Sequence, residues 1–309
     1  MRRRIILRAM LWTRRDFARL ALTSLPAARL LARPSLAFAQ PNSKFAGVQV
    51  GMNVPYNFGG RDMDADDLLA RCVRLNVSAI ELRSQPVEGF LGSPASGGNK
   101  VSADTIRKWR STVSMDRVKA FRKKYEDAGV AIGIVKYDGI YDYSDAELDY
   151  SFELARTLGA RAISCEIDVE KTRRLGRFAD KHQMPVGLHG HGATTPAHWA
   201  TAFGFARYNW ANLDLGHFLA GNNTSPVPFL QQYHDRITHI HVKDRKLHDG
   251  ATTPFGEGDT PIKEALRLIR DRKWPIQATI EFEYPVPAGS DRMTELAKCV
   301  EYCKDALLT

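Results

Sequence analysis

Cysteine is scarce: the 309 residues hold four, Cys72, Cys165, Cys299 and Cys303, and their spacing is not that of a disulfide framework. Cys299 and Cys303 sit four apart on a predicted helix and read as small buried residues sharing one face. No Gly-x-Gly-x-x-Gly follows the first predicted strand, which removes the usual dinucleotide-binding turn. Low-complexity tracts are absent. Arginines break the N-terminal apolar stretch well short of the ~20 residues a spanning helix needs. Surplus charge is missing from most of the chain. The formal charge is +9, but residues 1–39 hold nine Arg, no Lys and one acid, Asp16. The rest carries 35 Lys and Arg against 34 Asp and Glu, so the high pI implies no nucleic-acid partner.

What the first 39 residues do have resembles an address. Thr13 to Leu20 reads TRRDFARL, a twin arginine before a mildly apolar stretch, and Ala37-Phe-Ala39 is a small-x-small cleavage site. The segment resembles a twin-arginine export signal. That implies a twin-arginine translocase as partner during export, cleavage near Ala39 and a periplasmic protein beginning at Gln40.

The remaining ~270 residues repeat strand then helix. Strands are predicted over 48–52, 78–82, 130–135, 162–166, 185–189, 208–214, 237–242 and 276–281. Helices are predicted over 63–75, from about 103, and over 116–128, 145–158, 170–182, 196–205, 226–233, 261–272 and 291–307. Residues 84–101 are rich in Gly, Ser and Pro and read as a long connection. Strict alternation implies a parallel sheet, and eight units at this length favour a closed single-domain (β/α)8 barrel, a TIM barrel. Its functional residues are then expected at the C-terminal strand ends.

Those ends are polar. Residues 237–244, ITHIHVKD, put His239, His241 and Lys243 on one strand face. Glu81 and Arg83 end the second strand, Lys136 the third and Glu166 the fourth. His189 and His191 end the fifth, Asp214 and His217 the sixth, Glu281 and Glu283 the eighth. One strand-end carboxylate is ordinarily a cap or loop anchor. Five consecutive strands ending in carboxylate or imidazole are hard to explain by capping and suit a divalent metal: Mn, Co, Zn or Mg. A carbonyl and neighbouring hydroxyl chelated to such an ion become acidic at the carbon between or beside them. Glu281 and Glu283 are candidates for the base, His189 and His217 for the acid. Lys243 and Lys246 are candidates for holding an oxyanion or a phosphate, against a reading as solvated loop lysines. His239, deeper on its strand, reads as a supporting or substrate-side histidine before a metal ligand.

Asp214-Leu-Gly-His217, His239-Ile-His241-Val-Lys-Asp244 and Ile280-Glu281 resemble the motifs of xylose isomerase-like TIM barrels, which include sugar phosphate isomerases and epimerases. Gly256-Glu-Gly-Asp259 before Pro261 fits the same pattern. The resemblance implies that residues 40–309 form one such domain. It makes Asp214, His241 and Glu281 metal ligands and His217 a substrate contact. The family's fourth ligand is a glutamate ending the fifth strand, where this chain has His189. Glu166, one strand earlier, is the candidate replacement, with His189 or His191 on metal or substrate instead. The implied function is a metal-dependent isomerase or epimerase acting on a ketose or keto-sugar through an enediolate. Lyase chemistry on a 3-keto-glycoside is the alternative, because one base suffices for elimination. Export argues for a neutral sugar or oxidised glycoside over a sugar phosphate. Remoter alternatives are an endonuclease IV-type nuclease and a non-catalytic sugar-binding barrel, and a homo-oligomer is left open.

Overall fold

The computed structural model describes residues 40–309. The segment read as an export signal, 1–39, lies outside them. Eight parallel strands form the frame: β1 (Val48–Val54), β2 (Ala79–Arg83), β3 (Ala131–Lys136), β4 (Ala162–Glu166), β5 (Val186–His189), β6 (Asn209–Asp214), β7 (Ile237–Val242) and β8 (Gln277–Ile280). Each pairs with the next in sequence, and β8 pairs with β1, so the sheet closes on itself. The helices are α1 (Ala65–Arg74), α2 (Ser84–Phe90), α3 (Ala103–Arg110), α4 (Met115–Asp127), α5 (Asp145–Thr157), α6 (Thr172–His182), α7 (Pro196–Phe205), α8 (Leu215–Asn222), α9 (Val227–Tyr233), α10 (Ile262–Arg272) and α11 (Arg292–Leu308). The fold is a (β/α)8 barrel.

Local chemistry accounts for most boundaries. Asp64 caps α1 by accepting from the Asp66 and Asp67 backbone, and Ser144 with Glu147 forms a capping box on α5. Leu68, Leu69 and Cys72 of α1 are buried against the sheet. All four cysteines are buried free thiols. Two helices depart from the sequence reading. Residues 84–90 are helical because Pro86 stands in the first turn, where its missing N–H costs nothing, and Val87 packs inward. Helix α8 follows β6 with no loop, because Asp214 ends the strand and caps the helix in one residue.

Register places the strand ends side by side. Glu166 stands opposite His189, and Asp214 opposite His241. Gly187 makes room below: a Cβ there would stand 2.3 Å from Thr238 Oγ1 and 3.3 Å from the His239 ring. That close approach lets an imidazole layer sit inside a narrow barrel.

Candidate active site

Four donors converge at the C-terminal end of the barrel. His189, Asp214, His241 and Glu281 each offer one atom, all within 4.8 Å of one another, and all four residues are buried. His241 Nδ1 lies 3.1 Å from Glu281 Oε2 and 3.2 Å from His189 Nε2. Asp214 Oδ2 lies 3.5 Å from His189 Nε2 and 3.8 Å from His241 Nδ1. Metal bonds of about 2.0–2.2 Å in a tetrahedron put donors roughly 3.3–3.6 Å apart, so the spacing fits a small divalent ion.

The outer atoms explain why the inner ones point inward. His241 Nε2 is 2.6 Å from Glu81 Oε2, and His189 Nδ1 is 2.8 Å from Glu166 Oε2. An imidazole that gives its outer hydrogen to a carboxylate turns a lone pair inward, the usual support of a metal-binding histidine. Two such lone pairs facing each other across 3.2 Å repel unless a cation or proton lies between them. Asp214 Oδ1 accepts from the His217 backbone N–H at 2.7 Å, while buried Oδ2 faces the cluster and the Lys243 ammonium. Glu281 Oε1 accepts from Asn53 at 2.8 Å, which leaves Oε2 for the cluster. The donor set therefore fits a divalent metal.

The charges answer one another. Burial opposes the His241 charge, but Glu281 and Glu81 outweigh it and push the ring up to about 10. Against the same cost of burial, His241 and His239 hold Glu81 well below the ordinary carboxylate range, and His241 and Lys243 do so for Glu281. Lys243 is buried, its ammonium 3.0 Å from Asp214 Oδ2 and 2.8 Å from both Glu281 Oε2 and Glu283 Oε2. These carboxylates overcome burial and raise its pKa. Burial holds His217 down at about 4, despite Asp214, with the Lys243 charge adding to the effect.

Comparison with known proteins bears on the fold. No curated protein matches the sequence. Residues 164–305 match the family model described as xylose isomerase-like TIM barrel. The match runs from within β4 into α11, the second half of the barrel. Among similar solved structures is a xylose isomerase domain protein from Planctomyces limnophilus: 17% identity over 84% of this chain and 97% of that one, TM-score 0.60. D-psicose 3-epimerase from Clostridium cellulolyticum H10 has 11% identity over 84% and 99%, TM-score 0.60. A probable 3-DHS dehydratase from Bacillus anthracis has 15% identity over 82% and 98%, TM-score 0.60.

Within this barrel the residues singled out in the sequence do not all meet. His189, not Glu166, joins Asp214, His241 and Glu281. Glu166 stands outside them, holding His189, His191 Nε2 at 2.7 Å and the buried Lys136 at 2.8 Å. The register is the reason: Glu166 is level with His189 on the neighbouring strand and meets its outer nitrogen. Replacing Glu166 with Gln is expected to weaken metal binding about 10–100-fold, the usual cost of losing such support. Competition against a chelator measures it, and unchanged affinity would remove Glu166 from that role.

His217 and Glu283 do reach the cluster, and His191 stands exposed at the rim. His239 does not reach the mouth of the barrel. It lies fully buried one strand repeat below His241, Nδ1 against Thr238 Oγ1 at 2.8 Å and Nε2 3.3 Å from Glu81 Oε1. Lys246 is half exposed and pairs with Asp259, away from the donors. Lys243, weighed in the sequence against a solvated loop lysine, is instead enclosed by carboxylates. Four residues had no assigned role in the sequence: Glu81, Lys136, Tyr56 and Arg245. Glu81 and Lys136 were visible as strand ends, whereas nothing local marks the other two.

Above the donors opens a cavity of about 340 Å³, walled by Tyr56, Arg61, Arg83 and Asp138 among others. Arg83 is held by Asp138 and stacks on the Tyr56 ring at 5.0 Å, so this wall is stiff. Tyr56 donates from its hydroxyl to Glu283 Oε1 at 2.8 Å.

Proposed function

We propose that this chain is a divalent-metal-dependent isomerase or epimerase that moves a proton beside the carbonyl of a ketose or keto-sugar through an enediolate. One observation carries the reading. Two imidazoles, each anchored on its outer side by a carboxylate, turn their inner nitrogens toward Asp214 and Glu281 beneath a solvent-reached cavity.

His189, Asp214, His241 and Glu281 would hold the ion, which supplies Lewis-acid stabilisation of an enediolate oxygen. Glu281 is the metal-side carboxylate, with both oxygens engaged. Glu283 is the base in this account: it stands outside the four donors, faces the cavity and is steered by Tyr56 and Lys243. Lys243 keeps its proton and offers a fixed positive charge to the oxygen that becomes anionic. The stiff Tyr56–Arg83 wall orients the sugar face.

A second reading has its own observation. The family resemblance implies a glutamate where this chain has His189, and the outer nitrogen of His189 is committed to Glu166. Glu283 then serves one face of the carbon, which is enough to expel a β-substituent from a 3-keto-glycoside. The similar structures include both epimerases and a probable dehydratase, so the architecture is compatible with either fate.

Proton NMR in D₂O separates the two. The protein, loaded with manganese and dialysed free of excess, is given free ketoses and 3-keto-glucosides beside a chelator-treated control. Deuterium entering an intact sugar supports isomerisation or epimerisation, and release of the aglycone supports elimination. No metal-dependent change in any sugar would count against both.

We place the protein in the periplasm, delivered by the twin-arginine translocase, on the strength of Arg14, Arg15 and the Ala37–Ala39 cleavage pattern. Changing Arg14 and Arg15 together to Lys is expected to abolish export in a fractionation assay. Undiminished periplasmic protein would overturn the assignment.

A further inference from the structure

His217 is held between two cations. Its Nδ1 lies 3.0 Å from Arg245 Nη1, and its Nε2 lies 2.8 Å from Lys243 Nζ. Neither a guanidinium nor an ammonium accepts a hydrogen bond, and a neutral imidazole has one lone pair to offer. Only one of the two cations can be served.

The surroundings decide which. Arg245 keeps its charge and is fixed in place. Its Nε and Nη2 donate to the Gly250 carbonyl at 3.0 and 2.7 Å, and Nη2 also donates to Asp249 Oδ1 at 3.1 Å. The loop beyond Arg245 aims these acceptors: His248 and Asp249 have φ of 58° and 52°, and Asp249 N–H donates to the Ala220 carbonyl of α8 at 2.9 Å. Gly216 permits the approach, since a Cβ there would stand 3.1 Å from Arg245 Cγ and 2.9 Å from the Lys243 carbonyl oxygen. Lys243, on a flexible stem, has Asp214, Glu281 and Glu283 around its ammonium and needs nothing from His217.

We propose that Arg245 is a positioning residue: it takes the Nδ1 lone pair of His217 and so fixes the Nε2–H tautomer, making a neutral ring a hydrogen-bond donor to a substrate oxygen. The inference rests on the reading above that a sugar enters this cavity. The hydrogen on Nε2 then has no carboxylate within bonding distance, since Glu283 Oε2 and Asp214 Oδ2 lie 3.9 and 4.0 Å away. It stands 2.8 Å from the Lys243 ammonium, a second donor, so the pair calls for an acceptor between them. An oxygen arriving there meets two donors already aimed at it, which is what a carbonyl oxygen gaining charge requires.

The test is ¹⁵N NMR of ring-labelled histidine in the zinc-loaded protein, with His217→Gln used to assign the resonance. Wild type is expected to show a bare Nδ1 and a protonated Nε2, unchanged from pH 6 to 8. Arg245→Met, which keeps the stem and removes the donor, should shift the ring toward Nδ1–H. It should also lower kcat by about 10²–10³-fold with a smaller change in KM. Arg245→Lys retains one donor and should keep the wild-type tautomer, which separates the role from loop stability. A protonated Nδ1 in wild type, or shifts unmoved in Arg245→Met, overturns the proposal. A tautomer that follows residue 245 in a protein that turns over no sugar would leave this inference standing and remove the functional reading.

Discussion

Asp214→Asn is expected to leave the protein folded, without bound metal and without measurable turnover. The two carboxylate oxygens have separate tasks. Oδ1 caps α8 by accepting from the His217 backbone N–H at 2.7 Å, and a side-chain amide oxygen can do the same. Losing that cap altogether would cost about 0.5–2 kcal/mol, and the isosteric amide retains it. Oδ2 faces His189 Nε2 at 3.5 Å and His241 Nδ1 at 3.8 Å. In the variant an NH₂ group takes its place, and an amide nitrogen is not a metal ligand. The melting temperature should therefore stay close to that of the wild-type protein stripped of metal. Elemental analysis after dialysis should find the ion gone. Metal retained at wild-type stoichiometry would remove Asp214 from the site.

Lys243→Met carries the second large effect, and it separates catalysis from metal binding. Methionine nearly matches the length of the lysine stem, so packing beside His217 and Gly216 is largely kept. What disappears is the buried ammonium among Asp214, Glu281 and Glu283. Without metal these carboxylates would be left uncompensated, and breaking a buried charge cluster from one side costs on the order of 3–5 kcal/mol. A bound divalent ion takes over that compensation. The variant should thus be less stable than wild type when both are stripped, recover when loaded and bind metal no more weakly. Its kcat should fall about 10²–10³-fold, the range for removing one preorganised donor from a developing oxyanion. Steady-state kinetics beside a metal titration gives the answer. Loss of metal together with activity would make Lys243 part of the assembly of the site and not of the chemistry.

The barrel was legible because its signal is repetitive: eight apolar runs each followed by an amphipathic helix leave few other architectures. Helix α8 was missed because Asp214 serves as strand end and helix cap at once, so no turn residues separate β6 from α8. The donors were legible as strand ends, since a buried run finishing in Asp214, His241 or Glu281 stands out against apolar neighbours. Their partners were not. Glu81 and His241 are 160 positions apart and meet only because β2 and β7 face each other across a closed barrel. The choice between Glu166 and His189 turned on register, which brings the two side by side with His189 on the inner path. Lys243 and Arg245 belong to the run KDRK, which reads locally as solvated loop. Lys243 is enclosed by Asp214, Glu281 and Glu283 from other strand ends, and Arg245 is fixed by the curl of residues 246–250 against α8, both outside any local window.

The measurement that bears most directly on this account is an anomalous-difference map, collected at the zinc absorption edge from crystals grown with zinc. The account predicts one strong peak about 2.0–2.2 Å from His189 Nε2, Asp214 Oδ2, His241 Nδ1 and Glu281 Oε2, with Glu81 and Glu166 on the outer nitrogens. No peak there, with the Lys243 ammonium remaining as the cation of the cluster, or a peak between Glu166 and His191 instead, would contradict it.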